Sequence, residues 1–301
     1  MGKTKLFITD IDNTLFDWVT YYVNCFQTLL STVGDIIGED PEVLAAQAKE
    51  VFSVHGSIEY PFLIQELPAV MDYYKSDIDG MLNEAVQQGR DRFLDLAEDY
   101  LSPYEGVIET LHKIRERFPD MPIAALTDAP RYVAMWKLNK LGILEFFDAV
   151  YGLPDPRIPT SSEHGRVKVD PEILLKHLQQ SNFGFQGKIR NLPDEYEKPG
   201  TRGLKTVLMD YGFDEDLSKR AEVVWAGDNL RKDVGLGRTL GLSTAWASYG
   251  TIIAPEMLDK LATFSPPQNI HKNAALPMDA PDRPVPDIEL KQFSDILGMF
   301  K

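Results

Sequence analysis

The chain has 301 residues, 44% hydrophobic and 26% charged, a composition that excludes an unfolded chain and supplies a core for one large domain or two smaller ones. A net charge of -15 disfavours nucleic acid and anionic membrane surfaces as partners, since both are polyanions. The single cysteine, Cys25, excludes an intrachain disulfide and fits a reducing cytoplasm; its helical spacing from Tyr22, Phe26 and Leu29 assigns it to core packing.

The first residues run directly into a strand-like segment with no apolar signal region, and no stretch approaches the ~18 apolar residues of a membrane helix. Gly2-Lys3-Thr4 has the ending of a phosphate loop but precedes a strand instead of following one, so it is discarded. Lys5 to Thr9 reads as a short buried strand that ends in acids. Trp18 to Val33 has helical periodicity through Val19, Tyr22, Val23, Phe26, Leu29, Leu30 and Val33. Asp40-Pro41 starts a second helix. Tyr60 to Tyr74 and Ile78 to Tyr100 continue the helical pattern, and nothing between Asp17 and Tyr100 reads as a strand.

From Pro103 the rhythm changes. Val107 to Phe118 reads as a helix, Pro122 to Leu126 as a strand ending at Thr127-Asp128, Pro130 to Leu141 as a helix stopped by Gly142, and Phe147 to Tyr151 as a strand. Residues 152–197 form an irregular insertion with one helix near Pro171 to Gln179. Its Arg157, His164, Arg166 and Lys168 could reach a substrate, although a surface excursion is the favoured reading. Glu222 to Ala226 is a strand ending at Gly227-Asp228, followed by a helix stopped by Gly241, and Ser243 to Ala247 is the next strand. Residues 265–286 are a proline-rich connection, before a last strand at Asp287 to Leu290 and a closing helix at Gln292 to Phe300. Short apolar strands alternating with helices predict an α/β fold whose parallel sheet is covered on both faces.

Ligands of open α/β sheets bind beyond the carboxyl ends of the strands. Three polar groups occupy such places: Asp10-Ile11-Asp12-Asn13-Thr14, Thr127-Asp128, and Gly227-Asp228 through Asp233. Acids brought together there repel one another unless a cation offsets them, and oxygen-only ligands favour a hard ion such as Mg²⁺. The five histidines are scattered without zinc spacing.

These segments resemble the haloacid dehalogenase-like hydrolases. Asp10 to Thr14 matches the first motif, Asp-x-Asp-x-Thr, behind an apolar strand. Thr127 fits the second, and Gly227-Asp228 through Asp233 fits Gly-Asp-x-x-x-x-Asp. The resemblance spans residues 5–16 and roughly 103–250. It implies a Rossmann-like core at 1–16 and 103–301 and an inserted α-helical cap domain at 17–102, with hinges near Phe16-Asp17 and Ser102-Pro103. It further implies a phosphatase in which Asp10 is the nucleophile and Asp12 the acid/base. Asp10, the Asp12 carbonyl and Asp228 would bind Mg²⁺, Asp233 would support that site, and Thr127 and a lysine would hold the phosphate. That lysine is Lys198 or Lys168, with Lys198 favoured because one helix then leads to the strand before Asp228. Asp128 stands where Asn is common and either lies beside the phosphate or caps the helix near Pro130. An acid at position 12 favours phosphate esters over carbon–halogen bonds. The expected substrate is a small phosphorylated metabolite and the expected assembly a monomer or homodimer. A phosphomutase or phosphotransferase, and a non-catalytic binding module, are the competing readings.

Overall fold

The structure is a computed structural model, and it describes residues 3–154, 182–266 and 282–300. Seven parallel strands form one sheet in the order β4-β3-β2-β1-β5-β6-β7. They are β1 (Leu6–Thr9), β2 (Ile123–Pro130), β3 (Ala149–Leu153), β4 (Lys188–Asn191), β5 (Val223–Gly227), β6 (Ser243–Ala247) and β7 (Ile288–Leu290). Every residue of β1 and β5 is buried, as strands covered on both faces must be, so their sequences read as unbroken apolar runs. Leu6 and Ile8 pack on one side with Leu204, Val207 and Leu208 of α9 (Thr201–Asp210). Phe7 packs on the other with Leu111 and Ile114 of α7 (Val107–Arg117).

The register decides where chemistry can occur. Thr9 pairs with Ala125 on one side and Ala226 on the other. The ends of β1, β2 and β5 therefore lie side by side, and the chain leaves them as Asp10, Thr127 and Asp228.

Between β1 and β2 the chain is helical: α1 (Trp18–Ile37), α2 (Pro41–His55), α3 (Leu63–Glu66), α4 (Pro68–Tyr74), α5 (Ile78–Met81), a π turn at Leu82–Val86, and α6 (Gln87–Tyr100). Asp17 caps α1 by accepting from the Thr20 N–H, and Asp40 caps α2 with Pro41 in its first turn. The two chain crossings meet, since Phe16 and Pro103 form an antiparallel bridge. The helical segment also leans on α11 (Pro255–Phe264). There the fully buried Phe264 ring lies 4.4 Å from that of Phe26, and Lys49 Nζ donates to the Ala262 carbonyl at 2.9 Å.

Several sequence expectations shift. The single helical stretch from Tyr60 to Tyr74 is two helices, broken where Pro68 restricts Leu67 to an extended conformation. The helix after Asp228 is a π turn, Leu230–Gly235, running into α10 (Leu236–Thr239). The region read as irregular contains β4, an edge strand that pairs with β3 from Lys188 to Asn191 and is mostly exposed. The helix expected near Pro171 to Gln179 lies outside the described residues. Among the described residues no helix is long and apolar enough to cross a membrane.

Candidate active site

Asp10 continues the β1 ladder, its N–H donating to the Ala226 carbonyl at 2.8 Å. The chain then turns through Asn13 at φ 56, a left-handed conformation that Asn tolerates better than most residues. The Asn13 side chain accepts from the Trp18 N–H at 3.1 Å, so the turn that carries Asp10 and Asp12 is tied to the start of α1. Two glycines permit the close packing around it. A Cβ on Gly250 would stand 1.7 Å from the Asn13 carbonyl oxygen, and one on Gly227 would stand 2.3 Å from the Asp233 carboxyl carbon.

Lys198 reaches into this site from the loop before α9. Its Nζ is 2.9 Å from Asp10 Oδ1 and 2.9 Å from Asp233 Oδ1, and the residue is buried. The second Asp233 oxygen accepts from the Asn229 N–H at 3.0 Å. Asp233 is thus committed to holding Lys198 and the β5 loop. Lys168, the competing lysine, lies outside the described residues, as do Arg157, His164 and Arg166.

Asp128 does not cap a helix. Helix α8 (Arg131–Lys140) begins after Pro130 with no side-chain cap. The Asp128 carboxylate instead accepts from the Lys198 backbone N–H at 2.8 Å and from Lys232 Nζ at 2.6 Å. These bonds tie the end of β2 to the Lys198 loop and to the Asp228 loop, a long-range role that a local cap reading could not foresee. Thr127 is buried beside it, and its hydroxyl oxygen accepts from the Ala129 N–H at 3.1 Å, which leaves its own O–H free to donate.

Asp12 has a partner that the motif does not announce. Lys137 of α8 is fully buried and places Nζ 2.8 Å from Asp12 Oδ1 and 2.6 Å from Glu59 Oε1. Glu59 follows α2 in the helical segment and also accepts from Trp18 Nε1 at 3.1 Å. One ammonium therefore joins the strand-end acid to the helical segment. The available signal was Lys137's place in α8, three residues after buried Ala134 and four before buried Leu141, on a stripe where a lysine needs a buried anion. Glu59 and Lys232 carried no local signal.

Among the described residues acids outnumber cations here, and their protonation reflects it. Burial pushes the Asp10 carboxyl up to about 7 against the pull of Lys198, with Asp233 and Asp12 adding to the rise. Burial likewise pushes Asp12 up to about 6, opposed by Lys137 and aided by Glu59. Asp228 is held well above the carboxylate range by burial, then by Asp233 and Asp10. Burial works against the charge of Lys198, but Asp10 and Asp233 outweigh it and keep the lysine protonated.

Asp10, Asp228 and Asp233 bring carboxylate oxygens within 4.8 Å of one another. Asp228 is only 6% exposed and makes no ion pair or side-chain hydrogen bond among the described residues. A buried carboxylate in excess negative charge, among oxygen donors alone, fits a hard divalent cation.

These acids open into a cavity of about 160 Å³. Its floor is formed by the strand ends, and Trp18, the 56–59 turn and Leu261 close it from the helical segment and α11.

A family model described as haloacid dehalogenase-like hydrolase matches residues 4–241. The pyrophosphatase PpaX of Halalkalibacterium halodurans is 29% identical over 115 residues, which are 38% of this chain and 49% of that protein. The chain thus aligns with about half the length of that curated relative. Among solved structures, the 2-haloacid dehalogenase from Pseudomonas syringae pv. Tomato DC3000 shares the fold with a TM-score of 0.55 at 16% identity, over 98% of this chain and 97% of that one. The HAD phosphatase from Thermococcus onnurineus is 15% identical over 98% and 97% of the two chains, with a TM-score of 0.44.

Proposed function

The chain belongs to the haloacid dehalogenase-like hydrolase family, and from that premise we propose that it hydrolyses a small phosphate monoester, with Asp10 as nucleophile and Asp12 as acid/base. One observation carries the reading: Asp10, Asp12, Lys198, Thr127 and Asp228 all line one cavity at the ends of β1, β2 and β5. An acid at position 12 is what an alkoxide leaving group requires and a halide does not.

Asp10 and Asp228, with the Asp12 backbone carbonyl, would hold Mg²⁺. When bound, the ion offsets the charge of nucleophile and phosphate. Lys198 fixes one Asp10 oxygen and leaves the carboxylate oriented for attack. An Asp10 oxygen bonds to phosphorus as the phosphorus–oxygen bond to the leaving group breaks, and Asp12 gives its proton to the departing alkoxide. Asp12, now ionised, takes a proton from water as that water attacks the aspartyl-phosphate, releasing inorganic phosphate and restoring Asp10. The Thr127 O–H, whose oxygen accepts from the Ala129 N–H, and the Lys198 ammonium would donate to phosphate oxygens. A pKa of about 6 suits Asp12 to both halves of this exchange.

The helical segment 17–102 acts in this reading as a cap that excludes water from the acyl-phosphate. The core domain is then residues 1–16 and 103–301.

An aryl phosphate and a panel of small phosphate esters, assayed with Mg²⁺, test the proposal. Wild type should release inorganic phosphate, and Asp10→Asn should lose at least about 10³-fold in kcat. Equal turnover by Asp10→Asn removes Asp10 from its role. Phosphate that passes to a sugar without appearing free identifies a phosphotransferase.

A further inference from the structure

The cavity above Asp10 is lopsided in charge. Among the described residues seven carboxylates and two lysines line it, and both lysines are engaged. Lys198 lies between Asp10 and Asp233. Lys232 is 2.6 Å from Asp128 and 3.4 Å from Glu197. Lys198 and a divalent cation would serve the phosphate being transferred. A second anionic group on the substrate would then meet carboxylates and no uncommitted lysine among the described residues of the wall.

Glu59 stands out in that wall. Its side chain is 12% exposed, and Lys137 and Trp18 both bind its Oε1. Its Oε2 accepts no hydrogen bond among the described residues. Lys137 locks one end of the carboxylate and so orients the other, beside Asp12, where a leaving group would depart. The neighbouring surface is carbon, from Trp18, Ile58 and Leu261. Trp18 is itself braced by stacking on Tyr22 at 4.9 Å. At about 160 Å³ the space is below the roughly 300–1,000 Å³ of drug-sized ligand sites, so the wall contacts a short leaving group.

We propose that Glu59 determines specificity, its free oxygen accepting a hydrogen bond from a hydroxyl or ammonium on the leaving group, so that the substrate is a small phosphorylated polyol or amino alcohol and not a diphosphate or phosphorylated acid. This rests on the phosphatase reading above and narrows it. The same oxygen that receives an alcohol or amine repels a carboxylate or a second phosphate, so one residue supplies both selection and rejection.

The experiment compares kcat/KM, with Mg²⁺, for glycerol phosphate and phosphoethanolamine against phosphoglycolate and pyrophosphate, with an aryl phosphate as common reference. The neutral and cationic esters should exceed the acidic substrates by about tenfold or more. Glu59→Gln keeps an oxygen for Lys137 and can turn its amide N–H toward the cavity. It should shrink that ratio by about tenfold, mainly through KM. Asp128→Asn retains an acceptor for the Lys198 N–H and releases Lys232. It should raise the acidic substrates relative to the reference and serves if Glu59→Gln fails to fold. Acidic substrates equal to or better than the others in wild type, or a ratio unmoved in folded variants, overturn the inference. If the aryl phosphate is still hydrolysed through Asp10 in that case, the phosphatase reading survives. No turnover of any ester removes both.

Discussion

Two carboxylate networks in this molecule use the same chemistry and reach opposite ends. At the strand termini, Asp10, Asp12 and Asp228 lie together with few cations among the described residues, and burial pushes Asp10 up to about 7 and Asp12 up to about 6. At the far edge of the sheet, Asp210 has Lys188, Arg190 and the Tyr151 hydroxyl around one carboxylate. Burial alone would raise it, but those three donors outweigh burial and hold it at about 2. Cation supply relative to burial decides the outcome. The edge network is built to stay ionised and hold strands together. The central one, in the proposed function, exchanges protons and holds a cation.

Lys137 gives the sharpest test of this contrast. Among the described residues it is the one cation bonded to both Asp12 and Glu59, with no exposure at all. Lys137→Met keeps the length of the side chain but leaves two part-buried carboxylates facing each other. Folding stability should fall by about 3–5 kcal/mol, measured by denaturant titration. Adding Glu59→Gln to the Met variant should recover part of that loss, since one of the two charges is gone. A loss below about 1 kcal/mol in the single variant would place the pair among ordinary surface ion pairs and erase the distinction between the two networks.

The pH dependence of turnover is the next smaller effect. In the proposed mechanism an alkyl phosphate takes the Asp12 proton on its leaving group, so kcat should fall as pH rises through about 6. An aryl leaving group departs without that proton and should lack the alkaline limb. On the acid side both substrates should lose activity as Asp10, the proposed nucleophile, protonates. That limb lies below about 7 to the extent that Mg²⁺ lowers the Asp10 pKa. Identical profiles for the two substrates would take the proton-donating role from Asp12.

The same contrast governs what could be read from the sequence. Asp10, Asp12, Thr127 and Asp228 sit at or just past strand ends behind apolar runs, where local pattern and topology coincide; Asp233 follows Asp228 at the motif's fixed spacing, and Lys198 follows from the direction of α9. Lys137 and Glu59 meet across 78 positions of sequence, and Asp12 and Lys137 across 125. Such pairings are products of the folded chain and leave no local trace beyond a lysine on an apolar stripe. The cap reading of Asp128 fails for the same reason: a short polar side chain before a helix looks like a cap, while its partners lie 70 and 104 positions away. Strand β4 escaped because an exposed edge strand of four residues needs no apolar alternation, and Lys188-Ile189-Arg190-Asn191 has only one apolar residue.

That strand supplies the last and smallest prediction. Asp210 closes α9, where the carbonyl end of the helix disfavours an acid, yet its Oδ2 accepts from Tyr151 at 2.7 Å and Arg190 Nε at 3.1 Å, and its Oδ1 from the Arg190 guanidinium at 2.6 Å. Its folded pKa of about 2 lies below the ordinary 3.8. The network's contribution is therefore present above 3.8 and is lost as pH falls from there toward 2. Lys188 and Arg190 are each 43% exposed, so solvent screening limits the gain to about 1 kcal/mol. Asp210→Asn should cost that much at neutral pH, and the gap to wild type should close as pH approaches 2. Amide exchange should quicken at Ile189, which pairs with Val150 at the sheet edge. Turnover should not change, because β2 and β3 separate β4 from the strand that carries Asp10. A gap that stays constant down to pH 2 would mean that Asp210 stabilises the edge through neutral hydrogen bonds, and the opposition between its network and the one around Asp10 would then be one of packing and not of charge.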